Sequence, residues 1–111
     1  GAKALVFRSK GKFLMCVLPG NKKVDLEKMR SLLGEKRLSL ATPEEVLQVT
    51  GCVIGSVPPF GNLFDIPVYA DRSLLQNEEI SFNAGMLTRS IVMKTEDYVR
   101  SVKPLVEDFS K

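Results

Sequence analysis

The chain divides into short apolar runs separated by polar or glycine-bearing breaks. Ala4-Leu5-Val6-Phe7 and Phe13-Leu14-Met15-Cys16-Val17-Leu18 flank the polar stretch Arg8-Ser9-Lys10-Gly11-Lys12. That pattern predicts a hairpin with both strands largely buried. Pro19-Gly20-Asn21 ends it. Asp25 is placed to cap a helix from Leu26, with Met29, Leu32 and Leu33 on one face and Gly34 as its stop. Lys36-Arg37-Leu38-Ser39-Leu40 alternates and predicts a short strand. Thr42-Pro43-Glu44-Glu45 combines a capping threonine, a proline at the first helical position and a glutamate at the third. The helix it starts runs through Val46, Leu47 and Val49 to Gly51.

In the second half, Ile66-Pro67-Val68-Tyr69-Ala70 predicts a strand whose early proline belongs at a sheet edge or a strand start. Asp71-Arg72-Ser73-Leu74-Leu75 predicts a helical turn. Glu79 to Ala84 alternates as a strand, and Ser90 to Met93 forms the last one. Thr95 is read as the cap of a final helix with the face Tyr98, Val102, Leu105 and Phe109. Pro104 must kink or split that helix. About six strands and three helices, with no repeat and no linker, indicate an α/β (α+β) fold: one domain, residues 1–111, with a mixed sheet flanked by helices.

One stretch follows neither period: Val53-Ile54-Gly55-Ser56-Val57-Pro58-Pro59-Phe60-Gly61. Gly55 and Gly61 permit backbone angles closed to other residues. Pro58 and Pro59 fix their own φ and donate nothing. Two readings stay open. The loop is a buried turn with Val57 and Phe60 plugged into the core, or a stiff frame whose few N–H groups aim at a carbonyl or carboxylate.

Composition narrows the chemistry. The chain has 111 residues, 44% of them hydrophobic, enough for a single core. No apolar run is long enough to span a bilayer, and Lys3, Arg8, Lys10 and Lys12 interrupt any signal-peptide core, so a cytoplasmic protein is expected. Histidine is absent, which removes Ser–His and Cys–His nucleophile pairs. Cys16 and Cys52 have no metal or disulfide spacing, so neither metal nor cofactor is expected. Net charge is +3, but residues 1–40 hold ten Lys/Arg against three Asp/Glu, and residues 41–111 hold six against ten. The halves carry +7 and −4. A basic half suits a polyanion such as a nucleic acid; a solvated lysine-rich surface is the plainer alternative. Three features remain after the core is set aside: Lys3 at a strand mouth, the loop Gly55 to Gly61, and Phe82-Asn83-Ala84-Gly85 where a strand ends.

Taken in order, Ala2-Lys3-Ala4-Leu5-Val6, Val17-Leu18-Pro19-Gly20, Gly55-Ser56-Val57-Pro58-Pro59-Phe60-Gly61, Ile66-Pro67-Val68-Tyr69 and Phe82-Asn83-Ala84-Gly85 resemble the YbaK-like editing domains associated with prolyl-tRNA synthetase. The resemblance covers nearly the whole chain. It implies a mixed, curved sheet flanked by helices. It also implies hydrolysis of mischarged aminoacyl-tRNA of the Cys-tRNA(Pro) or Ala-tRNA(Pro) type, with prolyl-tRNA synthetase as a possible partner. The family's glycine-x-x-x-proline loop matches Gly55 to Pro59, and its functional lysine matches Lys3. Family members carry some tens of residues before that lysine, including a helix and part of the pocket wall; here Lys3 stands near the start.

The resemblance implies substrate-assisted hydrolysis, in which a ribose hydroxyl of the terminal adenosine positions water. The N–H groups of Gly55, Ser56 and Val57 would grip the aminoacyl group while Pro58 and Pro59 stiffen the loop. Phe60, Gly61, Asn83 and Gly85 would complete the substrate site, with Lys3 as the cation for ribose or phosphate. Lys22, Lys23, Lys36 and Arg37 are the expected tRNA backbone contacts. The competing expectation is a non-catalytic module of the same fold that binds tRNA or a partner protein.

Overall fold

The computed structural model describes residues 1–111. Seven strands and three α-helices form two sheets. Strands β1 (Ala2–Ser9), β2 (Lys12–Pro19), β3 (Ser39–Leu40), β4 (Val68–Asp71) and β7 (Leu105–Glu107) make a five-stranded sheet in the order β3-β1-β2-β4-β7. The β1–β2 and β1–β3 pairs are antiparallel, and β2–β4 and β4–β7 are parallel, so the sheet is mixed as expected. Strands β5 (Glu79–Asn83) and β6 (Ser90–Lys94) form a separate antiparallel hairpin.

Strand β2 shows why its sequence is apolar without interruption. It is covered on both faces, so alternate residues feed different cores. Met15 and Val17 join Val6, Val46, Val57, Ile80, Phe82 and Tyr98 on one side. Leu14, Cys16 and Leu18 join Phe7, Met29 and Phe109 on the other. Helix α1 (Leu26–Leu33) therefore lies on one face. Helices α2 (Pro43–Thr50) and α3 (Thr95–Val102), with the β5–β6 hairpin, lie on the other.

The caps follow the sequence in two of three helices. The Asp25 side chain accepts from the N–H groups of Glu27 and Lys28, and Gly34 ends α1 at φ +66°. Thr42 and Glu45 form a reciprocal capping box on α2. The third helix departs from expectation. Its N-cap is Lys94 with no side-chain bond, and Thr95 Oγ1 instead donates to the carbonyl of Asn77 at 2.6 Å. The helix stops at Val102. Pro104 splits the segment because it cannot donate to the preceding turn. Leu105 therefore enters β7 and Phe109 packs in the opposite core from Tyr98, so the expected four-residue face does not exist as a helix. Two further corrections concern strands. The segment from Lys36 pairs with β1 only at Ser39 and Leu40, since Ser9 Oγ engages the Arg37 carbonyl at 2.9 Å ahead of the ladder. The strand total is seven rather than about six because β7 was hidden in the helical reading.

Asp71 ties the C-terminal segment down. Its carboxylate accepts from the N–H groups of Phe109 at 2.8 Å and Ser110 at 2.9 Å, from the Ser110 hydroxyl at 2.9 Å, and from the N–H and hydroxyl of Ser73. Burial works against its charge, but these bonds outweigh burial and hold the carboxyl below its ordinary range. Nearby, the Gly20 N–H donates to the Gly1 carbonyl at 2.6 Å, and Lys23 and Lys111 exchange backbone bonds of 3.2 and 2.8 Å.

Candidate active site

The loop from Val53 to Gly61 follows the αL cap of α2 at Gly51 and crosses to the β5–β6 hairpin. Three hydrogen bonds fix it from outside. Asn83 Nδ2 donates to the Gly55 carbonyl at 2.6 Å, the Gly85 N–H to the Ser56 carbonyl at 3.0 Å, and the Tyr98 hydroxyl to the Pro59 carbonyl at 2.6 Å. Phe60 stacks its edge near Tyr98, with centroids 5.5 Å apart, and tilts against Phe82 at 5.6 Å. The core-plug reading holds for two of its residues, and the loop's glycine lies outside the core. Val57 and Phe60 plug the core, and Gly55 stays at the surface with φ +88°.

The donors are fewer than the sequence suggested. The Ser56 N–H is spent on the Val53 carbonyl at 3.0 Å, and its hydroxyl donates to the same oxygen at 2.7 Å. Ser56 is fully buried, so it supplies neither a nucleophile nor a free donor. The N–H groups of Gly55 and Val57 have no partner in the protein. They flank a hollow of about 40 Å³ lined by Ala4, Val6, Leu40, Val46, Gly55 and Val57, among others. None of its lining residues is ionisable. Gly61 has a packing role: a Cβ there would come within 2.6 Å of Val68 Cγ2 and 2.9 Å of the Ile66 carbonyl. Gly85, also at φ +88°, makes the turn that aims its N–H at Ser56.

Lys3 pairs with Leu18 on β1 and is half-buried, with no ion-pair or hydrogen-bond partner for its ammonium. It is one residue from Ala4 but does not line the hollow. Strand alternation gives it the parity of Leu5 and Phe7 rather than of Ala4 and Val6. Leu5 nonetheless reaches the hollow around the edge of β1, which has no strand partner outside Ala2–Leu5. The structure separates the four expected tRNA contacts. Lys22 and Lys23 follow β2 at the end where Gly1 bonds to Gly20 and Lys111 to Lys23. Lys36 and Arg37 follow α1 at the opposite end, beside the β1–β2 turn.

Candidate nucleophiles and bases are absent from the hollow. Burial pushes the Cys16 thiol up to about 12 and raises the Tyr98 phenol well above its ordinary value, so both stay protonated at neutral pH. The Cys52 thiol points to the Thr50 carbonyl at 3.6 Å. Glu45, lowered first by its bond from the Thr42 N–H, is engaged in the cap and with Arg8 at 2.8 Å. No His, Cys, Asp or Glu group is arranged to hold a metal ion, and no helix is long and apolar enough to cross a membrane. The arrangement offers unpartnered backbone donors on residues that line a small apolar hollow, and no side chain there that reacts. Tyr98, Leu40 and Val46 were missed as site residues in the sequence; each carries only an ordinary core signal.

Comparison with known proteins fits this geometry. The sequence profile of the aminoacyl-tRNA editing domain matches residues 1–101. The chain is 40% identical over 116 aligned residues to the Multifunctional Ser/Thr-tRNA deacylase ProXp-y of Escherichia coli K12, covering 100% of this chain and 70% of that protein. It is 32% identical over 72 residues to the proline–tRNA ligase of Thermosipho melanesiensis, covering 65% of this chain and 13% of the ligase. A crystal structure provisionally described as a trans-editing enzyme for prolyl-tRNA synthetase superposes with a TM-score of 0.89 at 32% identity, over 99% of this chain and 69% of that one. The chain belongs to the aminoacyl-tRNA editing domains, the enzymes that deacylate mischarged tRNA.

Proposed function

We propose that this protein hydrolyses the ester of tRNA mischarged with a small amino acid, at the hollow beside Gly55. Water attacks the ester carbonyl carbon, the bond from that carbon to the ribose oxygen breaks, and the ribose oxygen leaves with a proton. The oxyanion formed on the way is held by the free N–H groups of Gly55 and Val57, aimed donors of the kind that stabilise such charge by about 3 kcal/mol each. With no ionisable side chain in the hollow, a ribose hydroxyl of the terminal adenosine orients the water and relays the proton. Lys3, one residue before Ala4 of the hollow, supplies a cation for that ribose or its phosphate. Lys22, Lys23, Lys36 and Arg37 supply backbone contacts to the tRNA. A cytoplasmic setting and an association with prolyl-tRNA synthetase belong to the same reading, the latter supported by the likeness to proline–tRNA ligase.

Hollow size carries the substrate class. A volume of about 40 Å³, against the roughly 10–15 Å³ that one water needs on the same measure, holds only a few waters, so it takes the tip of a short side chain and rejects long ones. An apolar hollow discriminates weakly against an isostere that adds a hydroxyl, by about a hundredfold at most. Ala, Cys, Ser and Thr are therefore all admitted, which agrees with the Ser/Thr designation of the Escherichia coli relative. The test is a deacylation panel over Ala-, Cys-, Ser-, Thr- and Pro-tRNA(Pro). Turnover should rank by side-chain size, with the bulkier prolyl ester spared. Equal hydrolysis of all five, or hydrolysis of none by a folded chain, refutes the reading; the second result would leave a tRNA- or partner-binding module.

A further inference from the structure

The largest concavity of the molecule lies away from the hollow. It is a cleft of about 960 Å³ between the β1–β2 turn and the segment joining α1 to β3. Arg8 and Lys10 line one wall; Arg30, Lys36 and Arg37 line the other. The only carboxylate in the lining is Glu35, so five cations against one acid leave the cleft at +4. Lys10 meets Glu35 at 3.1 Å and Arg8 is paired with Glu45 outside the cleft. Arg30, Lys36 and Arg37 have no carboxylate partner at all.

The walls are held, not loose. The buried Ser9 donates its hydroxyl to the Arg37 carbonyl at 2.9 Å, and Arg8 sits opposite Ser39 in the β1–β3 ladder. Lys10 and Gly11 form a two-residue turn with φ of +51° and +75°. Gly or Asn suits the first of those positions, and another residue there costs about 1 kcal/mol or more. The turn accepts that strain while presenting an ammonium to the cleft.

The cleft also has a defined place relative to the hollow. Leu40 lines the hollow and its neighbour Ser39 lines the cleft; Val6 lines the hollow and Arg8 the cleft. One to two strand residues separate the members of these pairs, roughly 3–7 Å. A strand of nucleic acid whose end is at Gly55 would thus lay its next phosphates in the cleft.

We infer that this cleft binds the phosphates of the acceptor arm of the tRNA whose 3′ end enters the hollow, and that Arg30, Lys36 and Arg37 are its principal contacts. The inference rests on the deacylase reading for the identity of the polyanion. Chain-end cations Lys22 and Lys23 lie at the other end of the sheet and share neither wall.

The experiment compares the parent with the triple variant Arg30→Gln, Lys36→Gln, Arg37→Gln. Two substrates are used, full-length Ser-tRNA and a serylated CCA trinucleotide too short to reach the cleft, and binding of uncharged tRNA is followed separately by fluorescence anisotropy across a salt series. The expected result is a KM for Ser-tRNA raised about tenfold or more, kcat and the trinucleotide reaction unchanged, and a log–log salt slope of binding shallower by about 2. A matched Lys22→Gln, Lys23→Gln variant removes charge elsewhere and should lose less. Equal losses on both substrates, or an unchanged tRNA affinity and slope, overturn the inference. A salt slope equally reduced by duplex DNA competition and no preference for tRNA would show an unspecific anion surface and overturn it as well. Because anisotropy needs no turnover, a parent that binds tRNA through the cleft yet hydrolyses nothing refutes the deacylase reading alone.

Discussion

Gly55→Ala isolates the loop's backbone conformation from its packing. An added Cβ would meet only Leu87 Cδ2, at 3.6 Å, an ordinary contact, so space is not the obstacle. The obstacle is φ +88°, where a residue with a Cβ pays about 1–2 kcal/mol. The loop can relieve that strain only by rotating the peptide that carries the Gly55 N–H, against anchors at Asn83, Gly85 and Tyr98. If the strain is expressed as lost alignment with the oxyanion, deacylation falls about five- to thirtyfold. If it is expressed instead as global instability, the melting temperature falls by about 4–8 °C and turnover per folded molecule stays put. Single-turnover deacylation of Ser-tRNA, with thermal unfolding in parallel, separates the two. Gly55→Asn is the control, because asparagine tolerates left-handed angles better than alanine and should recover part of the lost rate. A Gly55→Ala protein that turns over like the parent, or an asparagine variant no better than alanine, would refute the claim that this φ aims a catalytic donor.

Lys3→Ala should lower deacylation while moving the melting temperature little, since the ammonium has no partner in the protein; a large loss of stability with normal turnover would make Lys3 structural. Asn83→Ala should cost about 1 kcal/mol by freeing the Gly55 carbonyl, with deacylation affected more than stability, read by the same paired assays. Acid should loosen the C-terminal segment. The folded Asp71 carboxyl lies below its unfolded value near 3.9, so its stabilisation is complete above about pH 4 and is lost as pH falls through the folded value. Hydrogen exchange at Phe109 and Ser110 should rise there, and Asp71→Asn should flatten that pH dependence; an unchanged acid profile in the variant would assign the effect to another group.

Much of the fold was written in local signals. The capping box at Thr42, the Asp25 cap and the glycine stops are chemical instructions confined to a few residues, and the structure follows them. The C-terminal quarter was harder because Leu105 and Phe109 continue a helical spacing past Pro104. Their real partners are Tyr69 on β4 and the Met29 core, both distant in sequence, and no periodicity reveals those contacts. The loop was legible as a rigid element from its glycines and prolines. Which of its N–H groups remain free was not legible, because that depends on the Ser56 turn back to Val53 and on anchors some thirty to forty residues away. The basic half showed in the charge count, but folding divided it: Lys22 and Lys23 went to one end of the sheet, Lys36 and Arg37 to the other.

The bonds from Gly20 to Gly1 and from Lys23 to Lys111 have a consequence for how such a body can be carried. The first and last described residues both attach to one four-residue connection, so chain entering at one would run beside chain leaving at the other. A host protein could therefore open a single surface loop, receive this body there, and close again without stretching its own backbone. The hollow and the basic cleft would be undisturbed, since neither draws on residues 20–23.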